Sequence, residues 1–157
     1  MKEAEQLIAG EQVEKGLRIL NDLLYEEPGY ASLHNHIGWA HLYYTSNFQQ
    51  AEVHLKVATR LHPELAPPYL HLGTLYLRTV QYEKALEVVA KGLERQGSNR
   101  AGLLEVAGQV YEMQHEFGKA IKAYRQATLA SMNTFEMNNL SEGIKRCRKK
   151  RWITWVK

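Results

Sequence analysis

The sequence predicts an all-α fold built from stacked antiparallel helix pairs. Three observations predict it. The amphipathic stretch YLHLGTLYLRTVQYEKALEVVAKGL, from Tyr69 to Leu93, recurs along the chain in one frame. Small residues occupy the same places in each copy. Turn signals separate the copies: Pro28 and Pro63, then Gly97-Ser98-Asn99 and Ser131-Met132-Asn133. Self-similarity at a fixed period of this length marks an array in which each unit buries its apolar face only against its neighbours.

Tyr69, Leu72-Gly73, Tyr76, Tyr82, Ala85 and Val89 reappear 35 residues later as Leu104, Ala107-Gly108, Tyr111, Phe117, Ala120 and Tyr124. The preceding copy reads Ile37-Gly38, Phe48, Ala51, Leu55 and Ala58, with one extra residue in the turn between its helices. Ala4, Leu7, Gly16, Leu20 and Leu23 are what remains of a first copy. Helices are expected over 2–9, 12–26, 31–45, 48–61, 66–79, 82–96, 100–114 and 117–130. Pro67 and Pro68 suit a first helical turn, where a missing N–H costs nothing. Gly within a helix is less favourable than Ala by about 0.8–1 kcal/mol. Its recurrence at 38, 73 and 108 therefore argues for close helix packing, with Gly73 and Gly108 facing Ala85 and Ala120 of their own units. Beyond the array, Asn133 or Thr134 can cap a last helix whose apolar stripe is Met137, Leu140, Ile144 and Cys147.

This frame resembles the tetratricopeptide repeat family, whose unit is a helix–turn–helix of about 34 residues with the pattern W-x2-L-G-x2-Y…A-x3-F…P. The resemblance covers residues 1–132. It implies a right-handed superhelical solenoid of about 3.5 repeats, with residues 133–157 forming a capping helix that ends in a basic, Trp-containing segment. Gly97 and Met132 stand where Pro often closes a unit, and Gly16 and Gly92 replace expected Ala.

The chain has 157 residues, 45% hydrophobic and 24% charged, and carries a net charge of +3. Residues 145–157 hold seven Lys or Arg and no acid, so the rest of the chain is mildly acidic. One cysteine, no apolar signal core and no apolar run of membrane-span length lead to an expected cytoplasmic location. No phosphate-binding loop, H-E-x-x-H or C-x-x-C is present. The seven histidines show no i, i+4 pair with a nearby carboxylate, although His34, His36 and His41 lie close together. No enzyme, catalytic residue, metal site or cofactor is therefore expected. Cys147, among Arg146, Arg148, Lys149 and Lys150, reads either as a reactive thiol or as a small apolar residue under the capping helix.

The resemblance implies that a protein or peptide partner lies along the first helices of the units. Side chains offset from the packing residues would face it: Asn35, His36, Trp39, Leu42 and Tyr43; then Leu70, His71, Thr74, Leu77 and Arg78; then Glu105, Val106, Gln109, Glu112 and Met113. Trp39 and Tyr43 are the candidate anchors, with burial of Trp39 as the alternative. A chaperone-tail carboxylate clamp is not supported. The positions that would carry its cations hold Met1, Glu5, His36, Pro67 and His71, or, one unit on, Asn35, Trp39, His71, Gly102 and Val106.

The basic segment Lys145, Arg146, Arg148, Lys149, Lys150 and Arg151, followed by Trp152, Ile153, Trp155 and Val156, carries three readings. It is a solvated helix end, a contact for an anionic surface such as membrane or RNA, or a dock for a partner or second copy. Sequence-specific nucleic-acid reading is not suggested by the acidic body. The leading expectation is a non-enzymatic interaction scaffold binding a peptide in its concave groove. The alternatives are a peripheral binder of anionic surfaces, or the repeat domain of a larger protein.

Overall fold

The computed structural model describes residues 1–155. Among them, helices follow one another without strands: α1 (Lys2–Ala9), α2 (Val13–Glu26), α3 (Ala31–Ala40), α4 (Phe48–Leu61), α5 (Pro67–Arg78), α6 (Tyr82–Leu93), α7 (Arg100–Met113), α8 (Phe117–Ala130) and α9 (Thr134–Trp155). Each helix packs on the next, and α5 also packs on both α3 and α7. This is the contact pattern of an all-α repeat solenoid. The core is correspondingly serial. Ile8, Leu20 and Ile37 centre one cluster, Leu55, Leu72 and Tyr76 the next, then Val89, Leu103 and Ala107, and finally Ala120, Tyr124, Leu140 and Cys147.

Two helix ends differ from expectation. The second unit's first helix is α only to Ala40 and continues as a π-turn over His41–Thr45. α6 stops at Leu93, where Glu94 and Arg95 make shorter-range turn bonds. Side-chain caps begin three helices: Asn47 accepts from Gln50 N–H, Asn99 from Gly102 N–H, and Asn133 from Phe135 N–H.

The small residues act as packing sites, but their partners lie one turn beyond the alanines. A Cβ added at Gly73 would meet Val89, one at Gly108 would meet the Tyr124 ring, and one at Gly38 would meet Leu55. These are the residues four after Ala85, Ala120 and Ala51, so the register of each helix pair is shifted by one turn from the expected one. Gly16 and Gly92 are equally constrained, by Ile8 with the Ala4 carbonyl and by Tyr69 with Leu103.

The turn inside each pair repeats as well. Glu11, Ser46, Val80 and His115 all have positive φ, near 53–66°. The next residue's N–H reaches back in a Schellman cap: Gln12 to Leu7, Gln81 to Tyr76, and Glu116 to Tyr111. In the second unit the equivalent bond runs from Asn47 to His41, one residue longer, and the π-turn takes up the difference. Val80 is the misfit, because a β-branched residue is strained in the left-handed region. Its side chain is exposed and in no core cluster. Val80→Gly is therefore expected to raise stability by about 1 kcal/mol, read as a higher denaturation midpoint at unchanged slope. A lower midpoint would show that the Val80 side chain contributes more than its backbone costs.

Candidate functional site

Nine of the groove-facing candidates line two separate clefts: Asn35, His36, Trp39 and His71 one, Leu77, Arg78, Gln109, Glu112 and Met113 the other. The first lies between the beginning of the chain and α5. It has a volume of about 390 Å³ and is lined by Glu5, Ala9, Asn35, His36, Trp39 and His71. Asn35 is 8% exposed, and its Oδ1 has no hydrogen-bond partner. His71 Nδ1 is also buried without one. Burial, with a smaller contribution from His36, lowers the His71 pKa to about 4, so this ring is neutral at neutral pH. His36 faces acceptors at both nitrogens, Glu5 Oε1 at 2.6 Å and the Ser32 carbonyl at 2.6 Å. The aromatic rim comes from Tyr43, edge-on to His71 at 5.7 Å, and Tyr44, edge-on to Trp39 at 5.0 Å. Trp39 meets both expectations in part: it packs against the first core cluster and still lines the cleft.

The second cleft, about 490 Å³, is lined by Leu77, Arg78, Val80, Tyr82, Gln109, Glu112, Met113 and Arg146. Arg78 donates to the Leu42 carbonyl at 2.8 Å and lies over the Phe48 ring. Thr74 bonds back to the Leu70 carbonyl, and Leu70 packs into the third core cluster. Glu105 accepts from Gln109; burial, then Glu136, raises its pKa. Met113 is exposed.

Three groove assignments need correction. Leu42 and Val106 are core residues, 0% and 5% exposed, because each also meets the adjacent helix. Glu112 lines the second cleft but is not free to meet a partner there. It is 7% exposed and fully engaged: Arg146 donates to both its oxygens at 2.7 Å, Lys150 donates to Oε1 at 2.7 Å, and the Tyr124 hydroxyl donates to Oε2 at 3.0 Å. Arg146, then Lys150 and Tyr124, hold its pKa down to about 2 against the cost of burial.

The cations of the tail accordingly do different things. Arg146 and Lys150 are tied to Glu112, and Lys145 pairs with Glu142 on the surface. The expected stripe docks α9 through Leu140, Ile144 and Cys147, while Met137 stays at its exposed margin. Gly143 joins the stripe, its position lying against the Tyr124 ring. Cys147 is fully buried; burial, then the Glu112 carboxylate, push its thiol up to about 11, which suits the packing role rather than a reactive one. Trp152 and Ile153 are exposed and do not fold back onto the groove. Val156 and the Trp155 side chain lie outside the described residues.

The histidines hold one contact that the sequence concealed. His34 Nδ1 lies 3.0 Å from His54 Nδ1, with His54 brought from α4. Burial, then His34 and His41, lower the His54 pKa to about 4. Among the described residues no three ligating side chains gather in a metal-holding group. No described helix is long and apolar enough to cross a membrane.

The sequence matches no protein-family model and no curated relative. Solved structures do match. TTC0263, a thermophilic TPR protein from Thermus thermophilus, superposes with a TM-score of 0.76 at 18% identity, covering 90% of this chain and 77% of that one. The chain has the tetratricopeptide repeat fold. A crystal structure of MamA superposes with a TM-score of 0.71 at 16% identity over 100% of this chain and 99% of that one. MamA 41-end from Desulfovibrio magneticus RS-1 gives 0.70 at 16% identity over 96% and 92%. At these identities the likeness is one of backbone, and the clefts of this tetratricopeptide array are described by its own side chains.

Proposed function

We propose that this chain is a non-enzymatic scaffold that binds an extended peptide segment of a partner protein, with the Asn35–Trp39–His71 cleft as its main subsite. The observation that carries this reading is the pair of buried, unpartnered polar atoms, Asn35 Oδ1 and His71 Nδ1, in one cleft. A buried polar group without a partner costs about 1–3 kcal/mol, and a ligand that supplies the missing bonds recovers that cost. Trp39 offers a flat apolar wall with a polar edge, the side-chain type that dominates interface energetics. The fold supports the same reading: stacked units present their first helices as one continuous surface.

Selection from a random peptide display library against the folded chain is the direct test, followed by titration of the enriched peptides. Trp39→Ala is expected to weaken their binding by about 2 kcal/mol with little loss of helicity. Asn35→Leu keeps the volume and removes the amide, so it should weaken binding and leave stability equal or higher. Enriched peptides that bind both variants as tightly as the parent would place the site elsewhere.

A further inference from the structure

We propose that the cleft between α8 and α9, on the side of α9 away from Glu112, binds the phosphate of an anionic lipid headgroup. The cleft has a volume of about 410 Å³, and Lys122, Arg125, Arg148 and Arg151 stand around it. Among the described contacts none of these four side chains makes a hydrogen bond or an ion pair, whereas Arg146 and Lys150, on the adjoining face of α9, are both committed to Glu112. The surrounding sequence offers no compensation. α8 contains no Asp or Glu, and α9 contains none after Glu142. Four like charges converging without a counter-charge repel one another, and a bound anion relieves that repulsion.

The floor of the cleft selects among anions. Ile121 and Leu129 line it beside the cations, and Leu129 is 88% exposed. One turn beyond Arg148, Trp152 and Ile153 project into solvent, 65% and 46% exposed. Cations beside an apolar floor and an exposed indole match a lipid, whose phosphate sits above an acyl boundary where Trp partitions. A free phosphate or an RNA backbone would use the cations and leave the apolar groups unsatisfied. This site is independent of the peptide cleft, which lies at the other end of the array.

Co-sedimentation of the whole chain with vesicles tests the assignment. Binding is expected to vesicles of phosphatidylcholine mixed with phosphatidylglycerol and not to phosphatidylcholine alone. Each basic residue near an anionic surface contributes enough that Arg125→Gln with Arg148→Gln should weaken binding about thirtyfold. The same charge loss on α2, Lys15→Gln with Arg18→Gln, should leave binding within a factor reflecting net charge alone. Trp152→Ala, which keeps every cation, should also weaken it. Equal loss in the α2 and α8/α9 pairs would overturn the site in favour of diffuse attraction. Retention by Trp152→Ala, or full competition by inorganic phosphate or by a single-stranded RNA, would overturn the lipid assignment. Melting curves of the exposed-site variants that match the parent make these outcomes attributable to binding.

Discussion

Replacing Gly108 with leucine is expected to destabilise the chain by about 3 kcal/mol. A Cβ at this position lies 2.7 Å from Tyr124 Cδ1 and Cε1, so even Gly108→Ala meets the ring. The ring cannot retreat. Gly143 of α9 presses on its other edge, where an added Cβ would be 3.2 Å away, and its hydroxyl is held by Glu112. Tyr124 is thus gripped between two glycines from different helices, and displacing it disturbs α7, α8 and α9 together. Alanine in place of a helical glycine ordinarily gains about 1 kcal/mol; at 108 that sign should reverse. Gly118, also helical, meets nothing within 4 Å and supplies the control, since Gly118→Ala should be neutral or stabilising. Urea denaturation of the three variants decides the matter, and a Gly108→Ala variant as stable as Gly118→Ala would contradict the packing described.

Removing Arg146 and Lys150 together is the second large effect expected. The double alanine variant leaves the Glu112 carboxylate, 7% exposed in the parent, with the Tyr124 hydroxyl as its remaining partner. Breaking a buried pair from one side costs about 3–5 kcal/mol, but both cations here are about half exposed, which places the expected loss near 2–3 kcal/mol at neutral pH. The pH dependence distinguishes this cause from lost packing. In the parent, Glu112 is held below its ordinary value of 4.5, at about 2. Its contribution is therefore complete above about pH 4.5 and is lost as pH falls toward 2. In the variant the unpaired, buried carboxylate shifts upward instead, so acidification should recover stability as it protonates. The two stability curves should converge on the acid side. Parallel curves would show that the arginine and lysine stems, and not their charges, hold α9 in place.

The helices were legible because each carries its own periodicity and its own stop signals. Phe48–Leu61 and Phe117–Ala130 begin and end where the pattern does. The glycine frame was legible as a need for close approach. Its partners were misplaced because helix sequence fixes which face is buried and not how far one helix slides along another; that is set by the bulk of Leu55, Val89 and Tyr124. Offset from the packing frame brings Asn35, His36 and His71 to one cleft, as the helical spacing suggested. The same offset failed at Leu42, Val106 and Glu112, where a second helix covers the same face. Glu112 was the deepest miss, since its partners lie 34 and 38 residues away on a helix outside the repeat frame. The α8 side of the cationic cleft was likewise invisible, because Lys122 and Arg125 join Arg148 and Arg151 only once α9 lies beside them.

The π-turn at His41–Thr45 accommodates one residue more than the turns of the other units hold. Elsewhere the array closes each first helix with the same five-residue span, and here it takes six, so the units downstream keep their phase. What the longer turn carries is local: of two successive aromatics, Tyr43 packs forward on His71 of α5 and Tyr44 back on Trp39 of α3. The corresponding turns after Leu7, Tyr76 and Tyr111 have no such pair of tyrosines. One unit of a repeat array can in this way present a distinct surface while the joints between units stay the same. Deleting one residue of the turn would return the second unit to the common five-residue span and move the two tyrosines, while the units on either side went on stacking as before.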